Sequence, residues 1–243
     1  LRPMDRYFWR VRVWDEQDRP SAWSREGEFR LAPRADFFDA RWIGAITNQD
    51  ARFPEGRIYE GARLKKAKAA WDAVDSLAWR SICLRKDFTA SRRVASATAY
   101  VCGLGLTLNG TKVGDGEFTP LISDYDKTVY YNTYDVTDLV KPGANAAGVL
   151  LGNGFYNVMG GGRYRKLQVA FGAPTLLFQL VIDYADGTRE VVKSGADWKY
   201  ALSPITFNTL YGGEDYDARL EQPGWDCPGF DDAAWNPVVL QEA

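Results

Sequence analysis

The feature that most constrains this chain is a succession of short runs in which apolar and polar residues alternate, each run closed by turn-forming residues. Tyr7, Trp9, Val11 and Val13 fall on one side of the first run and Arg10 and Arg12 on the other, the period of two that leaves a strand buried on one face and wet on the other. A turn over 15–20 leads to a second run at 27–31. Further strands are read at 80–88, 97–102, 107–108, 129–135, 146–151, 176–184, 189–193 and 235–240. Asn109-Gly110 and Asp186-Gly187 are strong hairpin signals, because a type I′ turn requires positive φ at both central residues. Many short antiparallel strands with few helices predict an all-β chain, a β-sandwich or jelly roll. The exception is one helical insert at 60–78, where Leu64, Ala67, Trp71, Val74 and Ala78 recur every three or four residues, as on an amphipathic helix laid on a sandwich face. Lys65, Lys66 and Lys68 fall between them and read as its solvated side.

Composition removes several function classes. The 30 basic and 32 acidic residues give a net charge of -2, with no basic face for nucleic acid. Apolar runs such as 173–182 fall far short of the ~20 residues that span a bilayer, so no membrane segment is expected. The chain has no histidine, which eliminates Ser-His-Asp and Cys-His relays and histidine-based metal sites. Cys83, Cys102 and Cys227 are odd in number and lack CxxC spacing, so they read as buried thiols rather than a disulfide frame or zinc site, with one bridge and a leftover thiol open for an exported protein. Aromatic residues make up 14% of the chain, nine of them tryptophan. Such residues pack sandwich cores and also form platforms for sugar rings.

Two resemblances sharpen this reading. The run 7–15 followed by Ser21-Ala22-Trp23-Ser24 and Phe29 resembles the last hairpin of a fibronectin type III domain, and a lone hairpin is marginal in water, so its partner strands are expected before residue 1. Further on, Leu108-Asn109-Gly110-Thr111-Lys112-Val113-Gly114-Asp115, Thr119-Pro120, Ser123-Asp124-Tyr125, Tyr130-Tyr131-Asn132-Thr133-Tyr134-Asp135 and Leu151-Gly152-Asn153-Gly154-Phe155-Tyr156 follow one another. With Gly213-Glu214-Asp215-Tyr216-Asp217-Ala218-Arg219 and Pro228-Gly229-Phe230-Asp231-Asp232-Ala233-Ala234-Trp235, this ordered set resembles the N-terminal, non-catalytic region of bacterial α-L-rhamnosidases, glycoside hydrolase family 78. The resemblance implies a partial fibronectin type III-like domain over 1–33 and a jelly roll of galactose-binding-like type over 34–243. It places the acidic catalytic residues on an (α/α)6 barrel elsewhere in the polypeptide, which hydrolyses terminal α-L-rhamnosides. It also implies a bacterial protein; its location is left open by the sequence, with export to the periplasm or the exterior favoured over the cytoplasm. In some family members the jelly roll binds rhamnose with the help of calcium. The helical insert departs from the family pattern, where a short connection is usual.

A sugar site needs an aromatic face for the ring and amides or carboxylates for its hydroxyls. One loop offers Asn153, Tyr156, Asn157 and, after Gly160-Gly161-Gly162, Arg163; glycine there frees the backbone for close approach. A second offers Asp115, Glu117, Ser123, Asp124, Tyr125 and Asp126, and the oxygens of Asp115 and Asp124 are where calcium would be sought. Glu214, Asp215 and Asp217 form a third acidic group. Each loop also has a plain structural reading, as glycine turns, an Asx turn, and carboxylates paired with arginines such as Arg219. Asp231 and Asp232 are read as structural. Three functions therefore stand open: a carbohydrate-binding and scaffolding portion of a rhamnosidase, a purely structural domain, and an autonomous glycoside hydrolase or lyase acting through loop carboxylates.

Overall fold

The computed structural model describes residues 3–103, 105–116, 119–158 and 167–241, which fall into two units, Leu1–Asp39 and Ala40–Ala243. In the first unit Arg6–Trp9 pairs antiparallel with Gly27–Arg30. The alternating run that begins at Tyr7 loses its regular ladder after Trp9 for a definite reason. The N–H groups of Val11 and Val13 donate to the hydroxyls of Ser24 and Ser21 at 2.9 and 3.1 Å, while the Val11 and Val13 carbonyls accept from the Ser24 and Ser21 N–H groups at 2.8 Å. Side-chain oxygens thus replace half of the carbonyls that a partner strand would offer. Asp15 closes the expected turn by accepting from the N–H groups of Gln17 and Arg19, and Arg12 lies between the rings of Trp14 and Trp23.

The second unit is the expected all-β sandwich. One sheet has six strands in the order Asn236–Pro237, Lys199–Leu202, Ile82–Ala90, Gly143–Leu151, Leu106–Leu108, Thr111–Lys112; the facing sheet has Arg189–Lys193, Leu177–Tyr184, Val94–Cys102 and Asn132–Asp135. Ile82, Leu84, Val149 and Leu151 from the first sheet meet Val101, Phe178, Leu180 and Ile182 from the second in one core. Trp198 is fully buried there, edge-on to Phe178, and its indole N–H donates to the Lys193 carbonyl at 3.0 Å.

Ile82–Ala90 is buried on both faces along its first half, which simple alternation does not anticipate. Its outer face is covered by a strap, residues 224–235. Arg85, on that outer face, donates from Nε to the Trp225 carbonyl at 2.8 Å and from Nη2 to the Cys227 carbonyl at 3.2 Å, and it pairs with Asp232. Gly148 makes room for the strap, since a Cβ there would stand 2.7 Å from the Asp226 Cβ and 2.9 Å from the Trp225 ring. Asp231 accepts from the Ala233 N–H and Asp232 holds Arg85 and Lys199, the structural roles expected of both. Burial opposes ionisation of Asp232, but the hydrogen bonds from Lys199 and Arg85 outweigh it and hold its carboxyl below the usual range. A carboxylate with a depressed folded pKa stabilises the fold above its unfolded value of about 3.9 and loses that contribution as pH falls through the folded value. Acid unfolding of Asp232→Asn followed by tryptophan fluorescence should therefore show a shallower loss of stability below about pH 4 than the parent; parallel curves would contradict this coupling.

Two local expectations are corrected. The insert is not one helix from residue 60: Glu60 ends the strand Ile58–Glu60, and the insert breaks into Gly61–Lys66, Lys68–Asp72 and the 3-10 turn Ser76–Trp79. The break falls at Ala67, whose ψ of 3° leaves the helical range, and Asp75 starts the last turn by accepting from the Leu77 N–H. The expected inward side survives, because Trp71, Val74 and Ala78 join Tyr59, Trp79 and Ala170 in a second core cluster. At Asp186-Gly187 only Gly187 has positive φ, 84°, and the loop has three residues closed by the Gly187 N–H on the Tyr184 carbonyl, a type I turn with a bulge rather than type I′. Asn109-Gly110, with φ of 52° and 77°, turns as expected between Leu106–Leu108 and Thr111–Lys112.

Candidate functional site

The strand registers bring three of the predicted loops to the same end of the sandwich. Leu151 and Leu202 both stand opposite Ile82, while Asn132 and Leu177 reach the Val101–Cys102 end of the facing sheet. Gly103 joins the two ends, since a Cβ on it would lie 2.9 Å from Leu176 and 3.6 Å from Leu151. The loop after Leu151, the loop before Asn132 and the hairpin after Leu202 consequently border one another.

Within the first loop the predicted residues divide. Asn153 and Asn157 are buried. The Asn153 amide donates to the carbonyls of Trp79 and Asn208 at 2.9 and 3.1 Å, and the Asn157 amide to the Ala78 carbonyl at 2.7 Å and the Asn153 Oδ1 at 3.1 Å. Their N–H groups are thus engaged within the protein, fastening the loop to the helical insert and to the hairpin that starts at Ile205. Gly154, with φ of 53° and open space where a Cβ would be, lets the chain turn between them. Tyr156 faces the other way, stacked on Phe171 at 5.8 Å and edge-on to Tyr125 at 5.2 Å, while Tyr125 also meets Phe171 at 5.2 Å. Two predicted tyrosines thereby form one wall, although they come from different loops. Burial pushes both hydroxyls above the usual tyrosine range, so at neutral pH they are hydrogen-bonding hydroxyls. Cys102 lies close by and burial pushes its thiol up to about 12, leaving it protonated.

Beside this wall lies a cleft of about 260 Å³ lined by Asn48, Phe53, Glu55, Arg57, Phe171 and Gly172. Thr47 caps the short helix Asn48–Ala51 by accepting from the Asp50 N–H, and Asn48 reaches across to accept from the Ala173 N–H at 2.9 Å. Arg57 donates to the Phe171 carbonyl at 2.8 Å and pairs with Asp126 at 3.3 Å, tying the 119–131 loop to the cleft. Gly172 permits the close approach, because a Cβ there would be 2.6 Å from the Asn48 Oδ1 and 2.9 Å from the Tyr156 hydroxyl. A small cleft with an aromatic wall, an amide, a carboxylate and a guanidinium can hold a small polyhydroxylated ligand that has an apolar face. Asn48, Glu55, Arg57 and Phe171 were not singled out from the sequence. Phe53-Pro54-Glu55-Gly56-Arg57 carries a recognisable turn signal, but nothing local announces its partner at residues 170–172.

The other predicted residues are placed as follows. Asp124 accepts from Lys127 Nζ at 2.7 Å, and this hydrogen bond holds its carboxyl below the usual range. Asp115 is exposed, and among the described residues no group of three or more Asp, Glu, Cys or His side chains converges as a metal site. With Asp124 already paired to a lysine, the described donors do not fit calcium. Glu214 belongs to the strand Gly213–Tyr216, opposite Asn208. Asp217 caps the turn Ala218–Leu220 and binds Arg219 in fork fashion at 2.8 and 2.7 Å. Arg163, with Gly160 to Gly162, and Glu117 lie outside the described residues.

Residues 92–243 match the α-L-rhamnosidase N-terminal domain, and residues 1–34 match the N-terminal immunoglobulin domain of Rha78A-like proteins. An α-L-rhamnosidase of Formosa agariphila is 37% identical over 245 residues, covering 97% of this chain and 25% of the relative. The solved α-L-rhamnosidase of Dictyoglumus thermophilum superposes with a TM-score of 0.77 at 32% identity, covering 100% of this chain and 26% of that one. That of Streptomyces avermitilis, solved in complex with L-rhamnose, gives 0.79 at 26% identity over 98% of this chain and 37% of that one. The chain spans about a quarter of the length of the curated relatives it matches.

Proposed function

Because the chain belongs to the α-L-rhamnosidases of glycoside hydrolase family 78 as their N-terminal region, we propose that it is a non-catalytic, carbohydrate-recognising portion of such an enzyme. Its ligand is a terminal L-rhamnose of a glycan or glycoside, and hydrolysis belongs to a catalytic portion elsewhere in the polypeptide. The observation that carries this reading is the cleft of Asn48, Glu55 and Arg57 against Phe171, with Tyr125 and Tyr156 alongside. A 6-deoxy sugar presents a methyl group and an apolar ring face, which suit the aromatic wall, and hydroxyls, which suit the amide, carboxylate and guanidinium. The carboxylates proposed for an autonomous hydrolase suit that role less well. Glycoside hydrolysis needs two facing carboxyl groups, one protonated and one ionised, whereas both oxygens of Asp217 are bound by the Arg219 fork and Glu214 lies on a strand opposite Asn208.

The test is a calorimetric titration of this chain with L-rhamnose, in calcium and in chelator, alongside hydrolysis of a nitrophenyl rhamnoside. Saturable binding without hydrolysis is expected. Tyr125→Ala should weaken it about tenfold, the equivalent of losing one aromatic contact of about 1.4 kcal/mol. Gly172→Ala, which displaces Asn48 and the Tyr156 hydroxyl, should weaken it comparably while the circular dichroism spectrum stays unchanged. Absence of binding in both buffers would leave a purely structural domain, and hydrolysis would point to the autonomous enzyme.

A further inference from the structure

The two ends of the sandwich differ in a way that the cleft does not account for. At the end that carries the cleft, large apolar side chains stand in solvent on the two flanking loops. Leu121 is 72% exposed, Ile122 56% and Tyr130 51% on one; Leu210 is 44%, Tyr211 50% and Tyr216 54% on the other. The turns of the opposite end, residues 91–93, 137–144 and 185–188, carry no exposed large apolar side chain among the described residues. Scattered exposed leucines are ordinary, but a concentration at one end marks a surface that another body covers.

We infer that this end is the docking face for the catalytic portion of the same polypeptide, with the 121–130 loop and the 205–216 hairpin as its two contact ridges; the inference rests on the proposal above that such a portion exists. Both ridges are preformed. Tyr125 anchors the first on Tyr156 and Phe171, and Asn208 anchors the second through its bonds to Asn153, while the Tyr216 hydroxyl donates to Glu221 at 2.6 Å. Preformed contact loops lose little conformational entropy on docking. The occupant is protein rather than glycan, because Leu121, Ile122 and Leu210 are branched aliphatics with no flat ring for a sugar to stack on, and they suit the side chains of a facing domain. The relatives supply the mass for it, since this chain accounts for 25% of the Formosa agariphila enzyme's length. In this arrangement the cleft opens at the edge of the interface, next to the body that performs the chemistry.

The experiment places the photo-reactive residue benzoylphenylalanine at position 130, at 211 and, as a control, at 191 in the full-length protein, irradiates it at low concentration, and identifies cross-linked peptides by mass spectrometry. Positions 130 and 211 are expected to link, within one molecule and with or without L-rhamnose, to peptides C-terminal to residue 243, and position 191 is not. Links to a second molecule, links to residues 1–39, or no link from either position would overturn the assignment. The readout is independent of sugar affinity: a chain that links as expected but binds no rhamnose retains this docking face and loses the proposed ligand.

Discussion

Arg85→Ala is expected to destabilise the second unit by about 3–5 kcal/mol, the scale for removing one partner of a buried, hydrogen-bonded ion pair. The Arg85 side chain has 0% exposure. It serves at once the Trp225 and Cys227 carbonyls, the Asp232 and Asp87 carboxylates and, at 5.5 Å, the ring of Phe230. Removing it leaves two carbonyls short of a donor and Asp232 with Lys199 as its remaining cation. Arg85→Lys should recover little, because an ammonium cannot reproduce the planar fork that meets four acceptors. Arg85→Met should fare better than alanine by filling the volume. Urea titration checks the order, and hydrogen exchange locates the cause: amides of 224–235 should open first. A loss below about 1 kcal/mol for Arg85→Ala would mean that the strap is held by its aromatic contacts alone.

The second large effect is expected at Trp71. Truncation to alanine should cost about 3–5 kcal/mol, as for other buried tryptophans. The consequence should be local: Trp71 is the hub on which Phe53, Tyr59 and Trp79 converge at 6.4, 5.1 and 6.1 Å, in a cluster separate from the main core. Since Phe53 also lines the cleft, Trp71→Ala should release the insert and abolish ligand binding before the sandwich itself unfolds. Two transitions in thermal unfolding, or loss of amide protection confined to residues 48–79, would bear this out; a single cooperative transition would show that the two clusters fold as one. Trp71→Phe should be much milder than alanine. It retains a ring, and the indole N–H it removes is buried without a partner among the described residues.

These two residues also show what local sequence reveals. Trp71 was legible as core because its neighbours repeat at helical spacing, and the inward side persists even though the helix breaks at Ala67. Arg85 was not, because one basic residue in an alternating strand reads as solvent-facing, and apart from Asp87 its partners lie 140 to 147 residues away. The site divides on the same principle. Tyr125 and Tyr156 could be chosen as aromatics beside glycine and acidic residues, yet the wall they share with Phe171 arises from tertiary packing. Asn153 and Asn157 drew attention as amides in a glycine-containing loop, but their acceptors are main-chain carbonyls 74 and 79 residues distant, and main-chain partners leave no trace in composition. Arg57 gave no signal because the carbonyl it binds is 114 residues on.

The strap has a consequence for how the molecule is made. Ile82–Ala90 emerges from the ribosome long before residues 224–235, and the Arg85 to Asp232 contact closes a loop of 147 residues. The cost of such closure grows slowly with length, but long-range contacts form late. During synthesis the sandwich can assemble its inner core while Cys83, Arg85 and Gly148 on the outer face still await cover. A nascent chain stalled before residue 225 would hold strand pairings with one uncovered sheet face, a natural client for a chaperone, and emergence of residues 225–235 would be the event that releases it.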